Sequence, residues 1–108
     1  MNLDRQVTLL RKTASDIAKW DLQQLQGLDA GPWTAELHEP ADDGTDELIQ
    51  LEAELLQVFE DGSIQVTVLV YGRERTLGAE VVAASDGRAE WSGEIFELIA
   101  GVPTLLST

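Results

Sequence analysis

One histidine, no cysteine and twenty aspartates and glutamates bound the chemistry open to this 108-residue chain. Nucleophilic catalysis needs a base beside a serine or cysteine nucleophile. The lone His38 falls on the outward-alternating positions of a predicted edge strand, the ordinary setting of a surface histidine. Thiolate and histidine-rich metal sites are excluded by the same composition. The glycines stand singly in turns, so no phosphate-binding loop is predicted. The acidic stretch from Ala41 to Glu47 invites a calcium reading, but its carboxylates and glycine miss the EF-hand offsets, and a solvated loop is expected.

Paired carboxylates remain. Strand alternation places Glu52, Glu54, Glu80, Glu90 and Glu94 on one predicted outer face. The expected pairing sets Glu54, Leu69, Gly78 and Glu94 in one cross-strand row. Glu54 and Glu94 would then stand ~14 Å apart at the usual strand spacing, outside the ~5–9.5 Å that glycoside hydrolysis requires. No catalytic residue, cofactor or metal is therefore assigned, and a non-enzymatic protein is expected. Large apolar side chains interrupt the glutamates, which a bare sheet face does not favour. The predicted interaction surface is Glu52, Glu54, Leu56, Leu69, Tyr71, Glu80, Glu90, Glu94 and Phe96, with the two aromatic residues as anchors inside an acidic rim.

The elements that must position these residues follow from turns and alternation. Asp61-Gly62 predicts a two-residue hairpin loop that pairs Phe59 with Ile64, Gln57 with Val66, Leu55 with Val68 and Ala53 with Val70. Shifting this pairing by one residue would put Glu52 and Glu54 beside buried valines, at a cost of several kcal/mol each. A turn centred between Arg73 and Glu74 pairs Val70 with Leu77, Val68 with Ala79, Val66 with Val81 and Ile64 with Ala83. A three-residue loop Ser85-Asp86-Gly87, with glycine left-handed, pairs Ala83 with Ala89, Val81 with Trp91, Ala79 with Gly93 and Leu77 with Ile95. The segment from Leu48 to Phe59 also fits a helical period, and the register match favours strand.

An apolar sheet face requires a cover. Leu3, Val7, Leu10, Ala14, Ile17 and Ala18 recur at helical spacing and supply it. Asp21 falls in the centre of that stripe, so the helix is expected either to bend near Trp20 or to reach the sheet edge there, with Gly27 as its C-terminal cap. Trp33 to His38 alternates as a short first strand that Pro40 stops, while Gly101 and Pro103 break whatever follows Ile95. The expected fold is α+β in one domain spanning 1–108: an N-terminal helix, about 3–26, packed on one face of a five-stranded antiparallel meander, about 33–38, 48–59, 63–71, 76–84 and 88–96. In general plan this is similar to cystatin-like rolls.

A formal net charge of −13 separates the two parts of the chain. Residues 1–32 balance four basic side chains with four acidic ones, whereas residues 33–108 hold three basic and sixteen acidic. Such a field repels nucleic acid and anionic membranes and draws basic surfaces, over a screening length of about 8 Å at physiological salt. No apolar run is long enough to span a bilayer, and Met1 to Arg5 lacks a signal-peptide layout, so a cytoplasmic location is expected. The leading functional expectation is an acidic interaction module that docks on a basic, nucleic-acid-binding partner, in the manner of inhibitors and immunity proteins that imitate a phosphate backbone. The alternatives are a self-associating structural or adaptor subunit, and a small-molecule binder with a pocket between helix and sheet near Trp20, Trp33 and Trp91, where Gln57 and Asp21 would be the polar groups.

Overall fold

The computed structural model describes residues 2–40 and 43–106. Helix α1 spans Leu3–Ala18 and begins where the Asn2 side chain accepts a hydrogen bond from the Arg5 N–H at 2.8 Å. Its buried stripe is Gln6, Leu9, Leu10, Thr13, Ala14 and Ile17. The helix does not continue to residue 26. It stops before Asp21, which becomes the N-cap of a separate helix, α2 (Leu22–Gln26), followed by a 3-10 turn at Gly27–Ala30. Asp21 accepts from the Gln24 N–H at 2.7 Å and the Gln24 side chain accepts from the Asp21 N–H at 3.0 Å. Breaking the helix thus turns a carboxylate that would have faced the core into a reciprocal cap on the surface. Among the described residues, no helix is long and apolar enough to cross a membrane.

Among the described residues seven antiparallel strands follow: β1 (Trp33–Pro40), β2 (Asp46–Val58), β3 (Ile64–Tyr71), β4 (Thr76–Ala83), β5 (Ala89–Trp91), β6 (Phe96–Ile99) and β7 (Val102–Leu105). The sheet order is β1-β2-β3-β4-β6-β7, with β5 also paired to β4. The α+β class and the helix-on-sheet arrangement hold. The strand count is seven instead of five, and the likeness to a cystatin-like roll is loose.

The β3–β4 register is the expected one, including Val66 opposite Val81 and Val68 opposite Ala79. So are Ala83 opposite Ala89 and Val81 opposite Trp91, across a three-residue loop closed by Ala84 N–H to Arg88 O at 2.7 Å with Gly87 at φ 93°. The β2–β3 register differs. Ala53 faces Val68 and Leu55 faces Val66, two residues away from the expected pairing. The cause is at the hairpin, where Phe59 N–H donates to Ser63 O at 2.8 Å and Gly62 has φ 87°, so the loop is Glu60-Asp61-Gly62. A bulge at Leu56 then separates Leu55 from Gln57. It sends Gln57 to the outer face, hydrogen-bonded to Gln65 at 2.9 Å, and leaves Phe59 41% exposed.

Two other boundaries move. β1 runs on through Pro40, paired with Asp46, because an outermost strand tolerates a missing N–H. The last predicted strand is interrupted after Trp91, with Gly93 at φ 87°, and β6 re-enters beside β4 with Leu77 opposite Glu97 in place of Ile95. Ala100 (φ 52°) and Gly101 (φ 79°) then make a left-handed two-residue turn into β7, where Gly101 and Pro103 were expected to end the regular structure.

The inner face buries Ile49, Leu51, Ala53, Ile64, Val66, Val68, Val70, Leu77, Ala79, Val81 and Ala83. Helix α1 packs chiefly on β3, β4 and β5, and the 3-10 turn packs on β2. Gln6, 1% exposed, pins the helix to the β3–β4 turn by donating to Val70 O at 3.0 Å and Arg75 O at 2.9 Å.

Candidate interaction surface

The outer face is set by the same pairing that builds the core. Its central row reads Thr34, Glu52, Leu69, Gly78, Phe96 and Leu105, one residue from each of β1, β2, β3, β4, β6 and β7. The row expected to contain Glu54 and Glu94 is thereby corrected. Glu54 lies one row away, opposite Thr67, which faces Glu80, and Glu94 lies outside the strands between β5 and β6. The Glu94 carbonyl accepts from the Trp91 indole at 3.2 Å while its carboxylate is exposed.

Two of the predicted apolar members form a small cluster. A Cβ added at Gly78 would collide with the Phe96 ring, so the ring fills the space above the glycine, and Leu69 is only 7% exposed beside it. Leu105 continues this strip at 62% exposure. Leu56 is exposed at the bulge, well along β2 from that cluster.

The carboxylates divide into bound and free. Glu52 accepts from the Tyr71 hydroxyl at 2.6 Å. Burial, and then this hydrogen bond to an anion, push the Tyr71 phenol up to about 12. Glu80 accepts from Gln65 Nε2 at 3.0 Å and from the Thr67 hydroxyl at 3.3 Å. Glu54 and Glu90 are exposed, as is Glu36 on β1. Among the described residues none of the seven strands contains a lysine or arginine, and Arg88, in the β4–β5 loop, is a cation beside Val82 and Glu90 at the margin of the face. His38 is exposed on β1.

Other carboxylates serve the turns. The Ser63 hydroxyl and then the Ser63 N–H hold Asp61 below its ordinary value, and the Arg88 N–H does the same first for Asp86. Asp43 is lowered by the Thr45 hydroxyl and N–H, so its acceptor capacity goes to its own loop. Ala41 and Asp42 of the acidic stretch lie outside the described residues. Glu47, at the other end of it, is buried and accepts from the Arg73 N–H at 2.7 Å. Among the described residues, no three histidine or carboxylate side chains converge as metal ligands.

Sequence reasoning missed Leu105, because β7 was not expected. The available signal was the Ala100-Gly101 pair between apolar residues. Comparison with protein-family models, with curated proteins and with solved structures finds no match.

Proposed function

We propose that this chain is a non-enzymatic cytoplasmic binding module whose helix-free sheet face seats a basic protein surface. The observation that carries this reading is the complete lack of lysine and arginine in the described strands, around the Leu69–Phe96–Leu105 strip. A predominantly negative field speeds encounter with a cationic partner and repels phosphate, while the apolar strip supplies area that salt does not screen. A basic protein therefore fits the face better than nucleic acid or an anionic bilayer.

Lysozyme and cytochrome c are suitable cationic probes, titrated by calorimetry at low and high salt. Neutralising the free carboxylates together, Glu36→Gln, Glu54→Gln and Glu90→Gln, should abolish binding. The same change in net charge made away from the face, Asp4→Asn, Asp29→Asn and Glu60→Gln, should leave most of it. Equal loss in both triple variants would reduce the effect to overall charge and sink the proposal.

A second reading, self-association, is favoured by the outermost strand β7, whose Val102 and Leu105 are 61% and 62% exposed. It predicts an oligomer that persists in high salt and dissociates in Leu105→Ser, read by light scattering.

A further inference from the structure

β1 is the first strand of the sheet, paired on one side only, and it runs beside β2 without a register shift. The phase of its hydrogen bonds follows from the β3–β4 turn, where the Gly72 N–H donates to Arg75 O at 2.9 Å. Alternation across antiparallel pairs then turns the backbone of Leu69 toward Glu52, that of Leu51 toward Ala35, and the N–H and C=O of Thr34, Glu36 and His38 away from the sheet. These three residues are exposed, and among the described residues no strand pairs with that edge. Pro40 falls in the same phase and has no N–H, so the open run is short and ends there.

The inward residues of the same strand border a groove. Because α1 packs chiefly on β3, β4 and β5, Ala35 and Leu37 are left half-buried, and a groove of about 580 Å³ separates them from Leu9 and Ile17 of the helix. Arg5 and Lys12 at its rim are solvated and paired with Glu39 and Asp16. Open backbone groups along the edge and open apolar surface beneath it are the two halves of a strand-addition site, in which main-chain hydrogen bonds supply affinity and alternate side chains enter the pocket.

Charge selects the occupant. Between Thr34 and His38 the outer face carries the exposed carboxylate of Glu36, and the chain as a whole has a net charge of −13. A second copy paired antiparallel through all three open residues would set Glu36 directly against Glu36, and like charges opposite each other destabilise a sheet. A strand with lysine or arginine at that position is attracted instead.

We propose that β1 takes up an extended segment of a partner polypeptide as an added antiparallel strand, with alternate apolar side chains in the groove beside Ala35 and Leu37 and lysines or arginines on the outer face beside Glu36. The site rests on the β1 edge and not on the Leu69–Phe96–Leu105 strip, so it stands apart from the docking surface proposed above.

The test uses the intact chain and the peptide acetyl-Lys-Val-Lys-Val-Lys-Val-Lys-amide, followed by calorimetry and by the emission of Trp20 and Trp33. Saturable one-to-one binding is expected, with slowed hydrogen exchange at the Thr34, Glu36 and His38 amides. In the antiparallel arrangement the lysine N–H groups of the peptide face β1 and the valine N–H groups face water. N-methylation of the lysines should therefore weaken binding by about tenfold or more, while N-methylation of the valines leaves it nearly unchanged. Glu36→Gln should weaken it by about threefold, and Glu36→Pro, which also removes an outward N–H, should abolish it with circular dichroism unchanged. Glu54→Gln combined with Glu90→Gln, on the docking face, should leave the peptide bound, so either reading can fail without the other. Equal binding of the two methylated peptides overturns the edge pairing. A dimer of the parent chain that the peptide does not displace gives the edge to a second copy and overturns the proposal, as does failure of the unmodified peptide to bind.

Discussion

The Phe96 ring occupies the space into which a Cβ at Gly78 would project, and Leu69 Cδ2 would lie 2.8 Å from that same atom. Glycine weakens a strand interior, yet here its bareness lets an aromatic side chain from β6 lie across β4 and bury Leu69. Gly78→Ala should therefore destabilise the protein by about 1–3 kcal/mol, since overpacking outweighs the backbone-entropy gain. In a Phe96→Ala background the same substitution should cost much less, because the two sites share one space. Denaturant unfolding of the four proteins in this cycle gives the coupling directly.

Gln6 holds α1 on the sheet through two backbone carbonyls. Gln6→Ala removes both donors and leaves the Val70 and Arg75 carbonyls without them, at a cost of about 1–3 kcal/mol. Gln6→Glu should be worse once ionised, since a buried carboxylate would face two carbonyl oxygens. Urea midpoints near neutral pH should rank wild type above Ala and Ala above Glu.

Tyr71 is the single tyrosine, so its phenol can be titrated without overlap from another by ultraviolet difference absorbance. A midpoint of about 12 is expected, against the ordinary phenol value of 10.0. A phenol whose folded pKa is raised binds its proton more tightly in the native state. Its contribution is thus fully present below the unfolded value and is lost as pH rises through the folded one. Stability should fall across that alkaline window, and Glu52→Gln should move the midpoint downward by removing the anionic acceptor.

Asp21→Ala removes one half of the cap on α2 and should cost about 0.5–2 kcal/mol. Trp20 is the preceding residue and sits edge-on to Trp33, so the tryptophan emission should change with it. An unchanged spectrum with full stability would show that α2 holds its place without the cap.

Much of this architecture was legible, and the β2–β3 misregister has a simple cause. Side-chain alternation has a period of two, so it distinguishes the correct β2–β3 pairing from a one-residue slip but not from a shift of two. Asp61-Gly62 was consistent with both loop lengths, and the longer one moved Ala53 from Val70 to Val68 without turning any residue of that segment to the other face. The bulge at Leu56 left no compositional mark, which is why Gln57 and Phe59 were placed inward. The β3–β4 pairing was recoverable because every inward partner there is apolar. Of the outer surface, Glu52, Leu69, Tyr71, Glu80 and Phe96 could be placed on one face by counting. Which carboxylates are already occupied depended on Gln65, Thr67 and Tyr71 side chains that no pattern reveals.

Pro40 and Pro103 stand on β1 and β7, the first and last strands of the sheet. Each border thus has a gap in the ladder that an incoming chain would need to continue it, which guards against end-to-end stacking into fibrils. A valine at either place would restore an unbroken template, and concentrated solutions of such a protein should gel or bind amyloid dyes sooner than those of the parent.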